Sequence, residues 1–257
     1  MESGLTTVIP SRKRTRNVRR MMRLVPWALR SVEEGEVEEY AAAGVRRERI
    51  LGRPPLDGMG AIRGWIMDRV ETDGLVMMDD DFRHVHCLVG EKCRVIADAR
   101  AIRRILENAY QVAKDLGIGL FGFGRHPSPL TADDADCLDF ARPVSCTWGI
   151  IGREMEIDRR RAVGGEDIDL VLRHLLKKRI VYVDNRFYFD HGSIFAGAGG
   201  LQGVRSEESV RKDDESLRKA WGRYVLINEV GAGRRTRGVA SSSRHVIGIN
   251  VRRKQAV

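Results

Sequence analysis

The sequence predicts an α/β fold, a parallel central sheet flanked by helices, and three observations carry that prediction. In residues 74–82, Gly-Leu-Val-Met-Met-Asp-Asp-Asp-Phe, an apolar run too short for a helix meets three carboxylates. This is the pattern of a buried parallel strand whose C-terminal end opens into a crevice. Apolar stripes at helical spacing flank it: Ile62, Trp65, Ile66 and Val70 before, and Ile102, Ile105, Leu106, Ala109, Val112, Ala113 and Leu116 after. Short runs at 5–9, 119–123 and 147–151 supply further strands.

A chain of 257 residues can bury a full core, and 42% hydrophobic with 32% charged residues is a globular composition. No apolar run is long enough to cross a bilayer, and the N-terminus lacks the charged-then-apolar pattern of a secretion signal, so a cytoplasmic protein is expected. Cys87, Cys93, Cys137 and Cys146 form no Cys-x-x-Cys pair, which argues against a zinc knuckle and for reduced thiols. Forty-five basic against thirty-six acidic residues leave a net charge of +9, which favours a polyanionic partner such as nucleic acid. An arginine-rich codon usage would give the same balance without one.

In chain order, the strand at 5–9 ends at Pro10, and the loop after it, Ser11-Arg12-Lys13-Arg14, carries three cations and a hydroxyl. It is a natural place to hold a nucleotide, or simply the opening of the next helix. That helix is expected over 14–29 with Val18, Met21, Met22 and Val25 on its apolar face. Residues 33–39 are acidic and read as a solvated helix or connector, and 45–51 as a second strand closed by Pro54 and Pro55. Asp57-Gly58-Met59-Gly60 then opens the helix bearing Trp65, with Arg63 beside its apolar stripe. A glycine-rich turn at a helix N-terminus can meet phosphate through backbone amides, with Arg63 adding a charged fork. Surface exposure without a ligand is the other reading.

At the acidic triplet, Asp79 and Asp81 are two residues apart, so on an extended backbone they face the same way while Asp80 faces the other. Hard oxygen donors suit Mg or Mn, and such ions keep positions that phosphate oxygens fill. A metal–diphosphate site is one reading; a helix cap or a solvated turn is the plain alternative. Residues 125–139 are polar with two prolines and read as a loop, which makes His126 a surface residue.

Gly164-Gly165-Glu166-Asp167-Ile168-Asp169 is the second chemical stretch, with Ile168, Val171, Leu172, Leu175 and Leu176 tracing the helix that follows. Glu166 and Asp167 there are either an acidic N-terminal cap or carboxylates presented by a mobile glycine loop, as a general base requires. Arg159, Arg160 and Arg161 would bring positive charge to the same rim. Residues 180–183 and 187–189 alternate like a hairpin that ends at Asp190-His191-Gly192, and His191 is a third metal ligand or a structural histidine. The glycines of 197–202 suggest a lid. A basic tail beyond 231, with a possible last strand at 246–251, divides the chain into a catalytic domain over 1–230 and a C-terminal extension over 231–257.

Together these stretches resemble nucleotide-sugar-dependent glycosyltransferases of the GT-A fold. The residues carrying the likeness are Val8-Ile-Pro-Ser-Arg12, Gly60-Ala-Ile-Arg63, Met77-Met-Asp-Asp-Asp81, Gly164-Gly-Glu-Asp167 and Asp190-His191, over roughly 5–225. Within that fold the chain is most similar to phage-type enzymes that glycosylate hydroxymethylated pyrimidines in DNA, on Gly199-Gly200-Leu201-Gln202 with Arg205 and the basic charge. The resemblance implies a single GT-A domain with a mixed, mainly parallel sheet and a Mn or Mg ion. It implies a nucleotide-sugar donor, a UDP-sugar by the nearest likeness, and a DNA acceptor. It implies Asp81 as a direct metal ligand with Asp79 and His191, and Asp79 or Asp80 reaching the ribose or metal waters. Pro10, Ser11, Arg12 and Arg63 become nucleotide contacts. Asp167, beside Glu166, becomes the base that takes the acceptor proton. Ala162 and Val163 stand where inverting galactosyltransferases place tryptophan, so sugar stacking by that route is not expected.

The absence of Gly-x-x-x-x-Gly-Lys-[Ser/Thr] excludes a P-loop ATPase, and Pro10-Ser-Arg-Lys stands where a dinucleotide fold needs its glycines. A metal-dependent nuclease and a non-catalytic nucleic-acid-binding module share the acidic cluster and the basic charge. A polysaccharide or protein acceptor also fits the transferase reading.

Overall fold

The computed structural model describes residues 4–89, 92–124, 137–141, 144, 146–161, 164–191, 206–229 and 245–249. An eight-stranded sheet forms the centre, in the order β3-β2-β1-β4-β9-β7-β10-β8. Its strands are β1 (Leu5–Pro10), β2 (Leu29–Glu33), β3 (Ile50–Arg53), β4 (Gly74–Met78), β7 (Leu120–Phe123), β8 (Leu138–Asp139), β9 (Thr147–Ile151) and β10 (Tyr182–Asp184). β1, β2, β3 and β4 pair in parallel, as do β7 and β10, while β9 runs antiparallel between β4 and β7. The sheet is therefore mixed and mainly parallel, as expected.

The period of two sorts the central strands between two cores. Ile9, Val76 and Met78 face the layer formed by α1 (Val18–Leu24) and α4 (Ala99–Asp115), packing on Met21, Leu24, Leu106 and Ala109. Val8, Leu75 and Met77 face the opposite layer, where α3 (Met59–Arg69) and α5 (Glu166–Lys178) contribute Ile62, Ile66, Leu170 and Val171 around Trp148. All of these side chains are buried, which is why the strands read as nearly continuous apolar runs.

Three elements differ from expectation. The helix expected over 14–29 spans only Val18–Leu24, because Pro26 cannot continue it, and Leu29 opens β2. The strand expected at 45–51 starts at Ile50, after a 3-10 turn over Arg47–Arg49. The runs at 180–183 and 187–189 are no hairpin. β10 joins the main sheet, whereas β11 (Phe187–Asp190) pairs with β5 (His84–Val89) in a separate three-stranded sheet completed by β6 (Lys92–Ile96).

The acidic stretch forms a 3-10 turn, Glu34–Glu36, followed by α2 (Val37–Ala42). After β11 come α6 (Glu207–Trp221) and β12 (Val225–Glu229), which pairs with β13 (His245–Ile249). His126, Ala162, Val163, the 197–202 stretch and Arg205 lie outside the described residues. Among the described residues, no helix is long and apolar enough to cross a membrane.

Candidate active site

β1 and β4 are parallel neighbours, so their C-terminal ends set Ser11 beside the aspartate triplet. β9 runs the other way and begins at Thr147, opposite Met78, so its start faces the same crevice. Asp80 parts from Asp79 and Asp81 as expected, but not on an extended backbone: β4 ends at Met78, and Asp80 and Asp81 lie in a turn. Asp80 turns inward to the loop after β1, where the Ser11 hydroxyl donates to its Oδ2 at 2.5 Å and Arg14 donates to its Oδ1 at 2.6 Å. Tyr40 completes the chain: the Arg14 amide donates to its hydroxyl, which lies 2.7 Å from Ser11 Oγ. Burial works against the Arg14 charge, and the pairing with Asp80 overcomes it, holding the guanidinium firmly protonated.

Asp79 and Asp81 turn the other way and meet His191. Their ligand atoms lie within 4.8 Å of one another, a spacing that one divalent ion can bridge. His191 Nδ1 is 3.2 Å from Asp81 Oδ1, while its Nε2 is 2.9 Å from Thr147 Oγ1, so Thr147 fixes which nitrogen faces the carboxylates. Burial pushes the Asp81 carboxyl up, but the hydrogen bond and charge of His191, with Arg14 behind, hold it below the usual carboxylate range. Two carboxylates and an imidazole suit a Mn or Mg ion and leave coordination positions for phosphate oxygens.

α5 brings the second stretch. Gly165 caps it at φ +77°, a conformation that a side chain strains, which accounts for the second glycine of the pair. The two acids that follow part company. Glu166 is buried and accepts from Arg63 Nη1 at 2.6 Å, and the other arm of Arg63 donates to Asp79 at 2.9 Å. Arg63, 3% exposed and stacked 5.3 Å from the Trp148 ring centroid, thus ties α5 to the triplet. Burial opposes both charges of this pair. Glu166 and Asp79 overcome it on the guanidinium, which stays protonated, whereas on Glu166 burial outweighs Arg63 and lifts the carboxyl. Asp167 is half-buried and accepts a hydrogen bond from the Ile168 amide at 2.9 Å. Cys146 sits among these groups, and burial with the charges of Asp79 and Asp167 pushes its thiol well above its ordinary value.

Two expectations are corrected. The helix start at Gly58-Met59-Gly60 is not open to phosphate. The Gly60 amide donates to the Arg161 carbonyl at 3.0 Å, and a Cβ there would meet the Asp158 carbonyl at 2.3 Å. The arginines before α5 do not lend free charge to the rim: Arg159 pairs with Asp68, Arg160 with Asp158, and buried Arg161 with Asp158 and Asp169. Of the nucleotide-loop residues, Pro10 ends β1 and is buried, Ser11 is engaged by Asp80, and Arg12 pairs with Glu33 at 3.0 Å.

The sequence model of the family described as TET-associated glycosyltransferase matches residues 5–200, more than half the chain. The chain belongs to this family. Membership of a glycosyltransferase family weighs against the nuclease and simple binding-module readings. Among solved structures, glucosyl-3-phosphoglycerate synthase from Mycobacterium tuberculosis in complex with phosphoglyceric acid is similar at 13% identity. The match covers 87% of this chain and 83% of that one at a TM-score of 0.52. At that identity the likeness shows the shared GT-A fold alone. TarS from S. aureus in complex with UDP-GlcNAc matches at 10% identity over 83% of this chain and 66% of that one, with a TM-score of 0.46. This chain spans about 65% of the length of a TarS fragment solved without that ligand. No curated protein matches at a significant level.

Sequence reasoning missed Tyr40 and Thr147 as site residues and named Arg14 only as one cation of the loop after the first strand. Each acts through a partner more than 25 residues away, and no local pattern signals such a contact.

Proposed function

We propose that this chain is a metal-dependent transferase that moves a sugar from a nucleotide-sugar donor, a UDP-sugar, to the hydroxyl of a hydroxymethylated pyrimidine in DNA. The observation that carries the donor half is the convergence of Asp79, Asp81 and His191 at the open ends of β4 and β11 in a chain of this family. A Mn or Mg ion held there would neutralise the diphosphate that leaves the sugar. The chain's own residues do the rest. Asp80, clamped by Ser11 and Arg14, holds the loop after β1 where the nucleotide would lie, with Pro10 and Arg12 on its walls.

Asp167 is the base. It accepts the acceptor proton as the new oxygen–C1 bond forms and the C1–oxygen bond to the diphosphate breaks. A carboxylate suits the step, because the attacking hydroxyl becomes acidic only as the bond forms. Glu166 shares the stretch but is committed to Arg63, so it positions α5 and Asp79.

The DNA acceptor is supported by the TET-associated description of the family and by the net charge of +9. The test is to incubate the protein with Mn and a panel of nucleotide sugars, with and without hydroxymethylated DNA. Nucleoside diphosphate release that requires both UDP-sugar and hydroxymethylated DNA is the expected result. Release with a polysaccharide or protein acceptor, and none with DNA, would overturn the acceptor while keeping the transferase.

A further inference from the structure

The small sheet carries a second convergence of ligand atoms, distinct from Asp79, Asp81 and His191. His84 and His86 are two residues apart on β5, so their rings share one face, and Asp190 is the cross-strand partner of His84 on β11. The two Nε2 atoms are 2.8 Å apart, and Asp190 Oδ2 lies 3.4 Å from that of His84 and 4.0 Å from that of His86. Donor atoms around a tetrahedral zinc, at bond lengths of about 2.0–2.1 Å, stand about 3.3 Å from one another. The three separations straddle that value.

The next layer fits as well. His86 Nδ1 lies 2.9 Å from Cys93 Sγ on β6, so an Nδ1–H donating to the sulfur leaves Nε2 as the ligand. The side chains of His84, His86 and Asp190 are 26%, 20% and 19% exposed, so an ion can enter and a fourth position is open to water.

We propose that His84, His86 and Asp190 bind a transition-metal ion of the zinc class, at a site separate from Asp79, Asp81 and His191. Two imidazoles with one carboxylate select zinc and its neighbours over Mg, which prefers oxygen donors. The ion would clip β11 to β5 immediately before His191. Asp190 would then serve one site and its chain neighbour the other, coupling the small sheet to the crevice. This inference stands apart from the sugar-transfer reading.

The test uses the full chain without an affinity tag, stripped with a chelator and reloaded with one equivalent of zinc. X-ray absorption at the zinc edge should show two imidazoles and a carboxylate in the first shell. His84→Asn and His86→Gln should each weaken zinc binding at least tenfold in competition with a chromophoric chelator, whereas Asp81→Asn should leave it within twofold. Cobalt in place of zinc should give the visible absorption of a four- or five-coordinate ion. A first shell with one imidazole or none would overturn the site, because it would put the ion in the aspartate crevice. So would unchanged affinity in the histidine variants, or no zinc uptake by the wild type, which would leave the ring contact a plain hydrogen bond.

Discussion

Among single residues, the carboxylates divide the work in the proposed reaction: Asp79 and Asp81 face a metal ion, and Asp167 faces the acceptor. Asp81→Asn keeps the shape and removes a ligand charge, so metal-dependent donor turnover should fall at least 100-fold while thermal stability stays near wild type, as a manganese titration of UDP release would show. Asp167→Asn should leave donor binding within a few-fold and cut transfer by about 10²–10⁴, the usual worth of a positioned base. Loss of donor binding in that variant would remove Asp167 from the role. Arg63→Met should also lower stability, because it leaves buried Glu166 without its partner, at a cost of about 3–5 kcal/mol. Adding Glu166→Gln should recover much of that loss in urea unfolding. Asp79 and Asp81 were legible because carboxylates directly follow an apolar strand, and His191 because it ends a β run beside glycine; that Asp80 and Asp81 form a turn and not an extended strand end was not. The Arg63–Glu166 pair was not, since its members are 103 residues apart and each looks locally like a surface charge.

At the scale of elements, the two glycines before α5 should separate cleanly. Gly165 caps the helix at φ +77°, so Gly165→Ala should cost about 1–2 kcal/mol and displace Asp167. A Cβ on Gly164 would meet nothing within 4 Å among the described residues, so Gly164→Ala should be nearly neutral. Chemical denaturation of the two variants checks this.

α5 also carries a pH response through His174, which is 1% exposed with Nδ1 against Met155 Sδ. Burial, aided by Lys178 and Lys177, lowers its pKa from 6.5 to about 4. The unfolded chain therefore binds the extra proton first, so this contribution to stability is full above pH 6.5 and is lost as pH falls toward 4. His174→Gln should flatten the stability profile in that window, as thermal melts from pH 4 to 7 would show.

The strands and helices that sequence made legible are those whose apolar pattern decides their burial, such as β4, β7, β9, α3, α4 and α5. β5 and β6 escaped notice because His84-Val-His-Cys and Lys92-Cys-Arg-Val interleave polar residues with small ones, and their exposed faces give no apolar run. α6 escaped because nine of its fifteen residues are charged, and the Leu217 and Trp221 that pack against Ile168 and Leu172 are too few to set a helical stripe.

At the scale of the whole molecule, a chain of net charge +9 whose site arginines are internally paired should bind DNA through backbone phosphates rather than through one cationic pocket. Its affinity for hydroxymethylated DNA should fall steeply between 50 and 200 mM salt, by about 10-fold or more, with little dependence on the flanking sequence. Unstacking a duplex base costs a few kcal/mol, so single strands should be glycosylated at least as fast as duplexes.

The fold places the ends of β1, β4, β9 and β11 around one crevice, where a cation would join Asp79, Asp81 and His191 to a diphosphate. The most direct measurement is anomalous diffraction at the manganese edge from crystals soaked with manganese and UDP. A single peak within bonding distance of Asp81 and His191, capped by the diphosphate, is the predicted result; a crevice without manganese, or filled by one of the protein's own side chains, would contradict it.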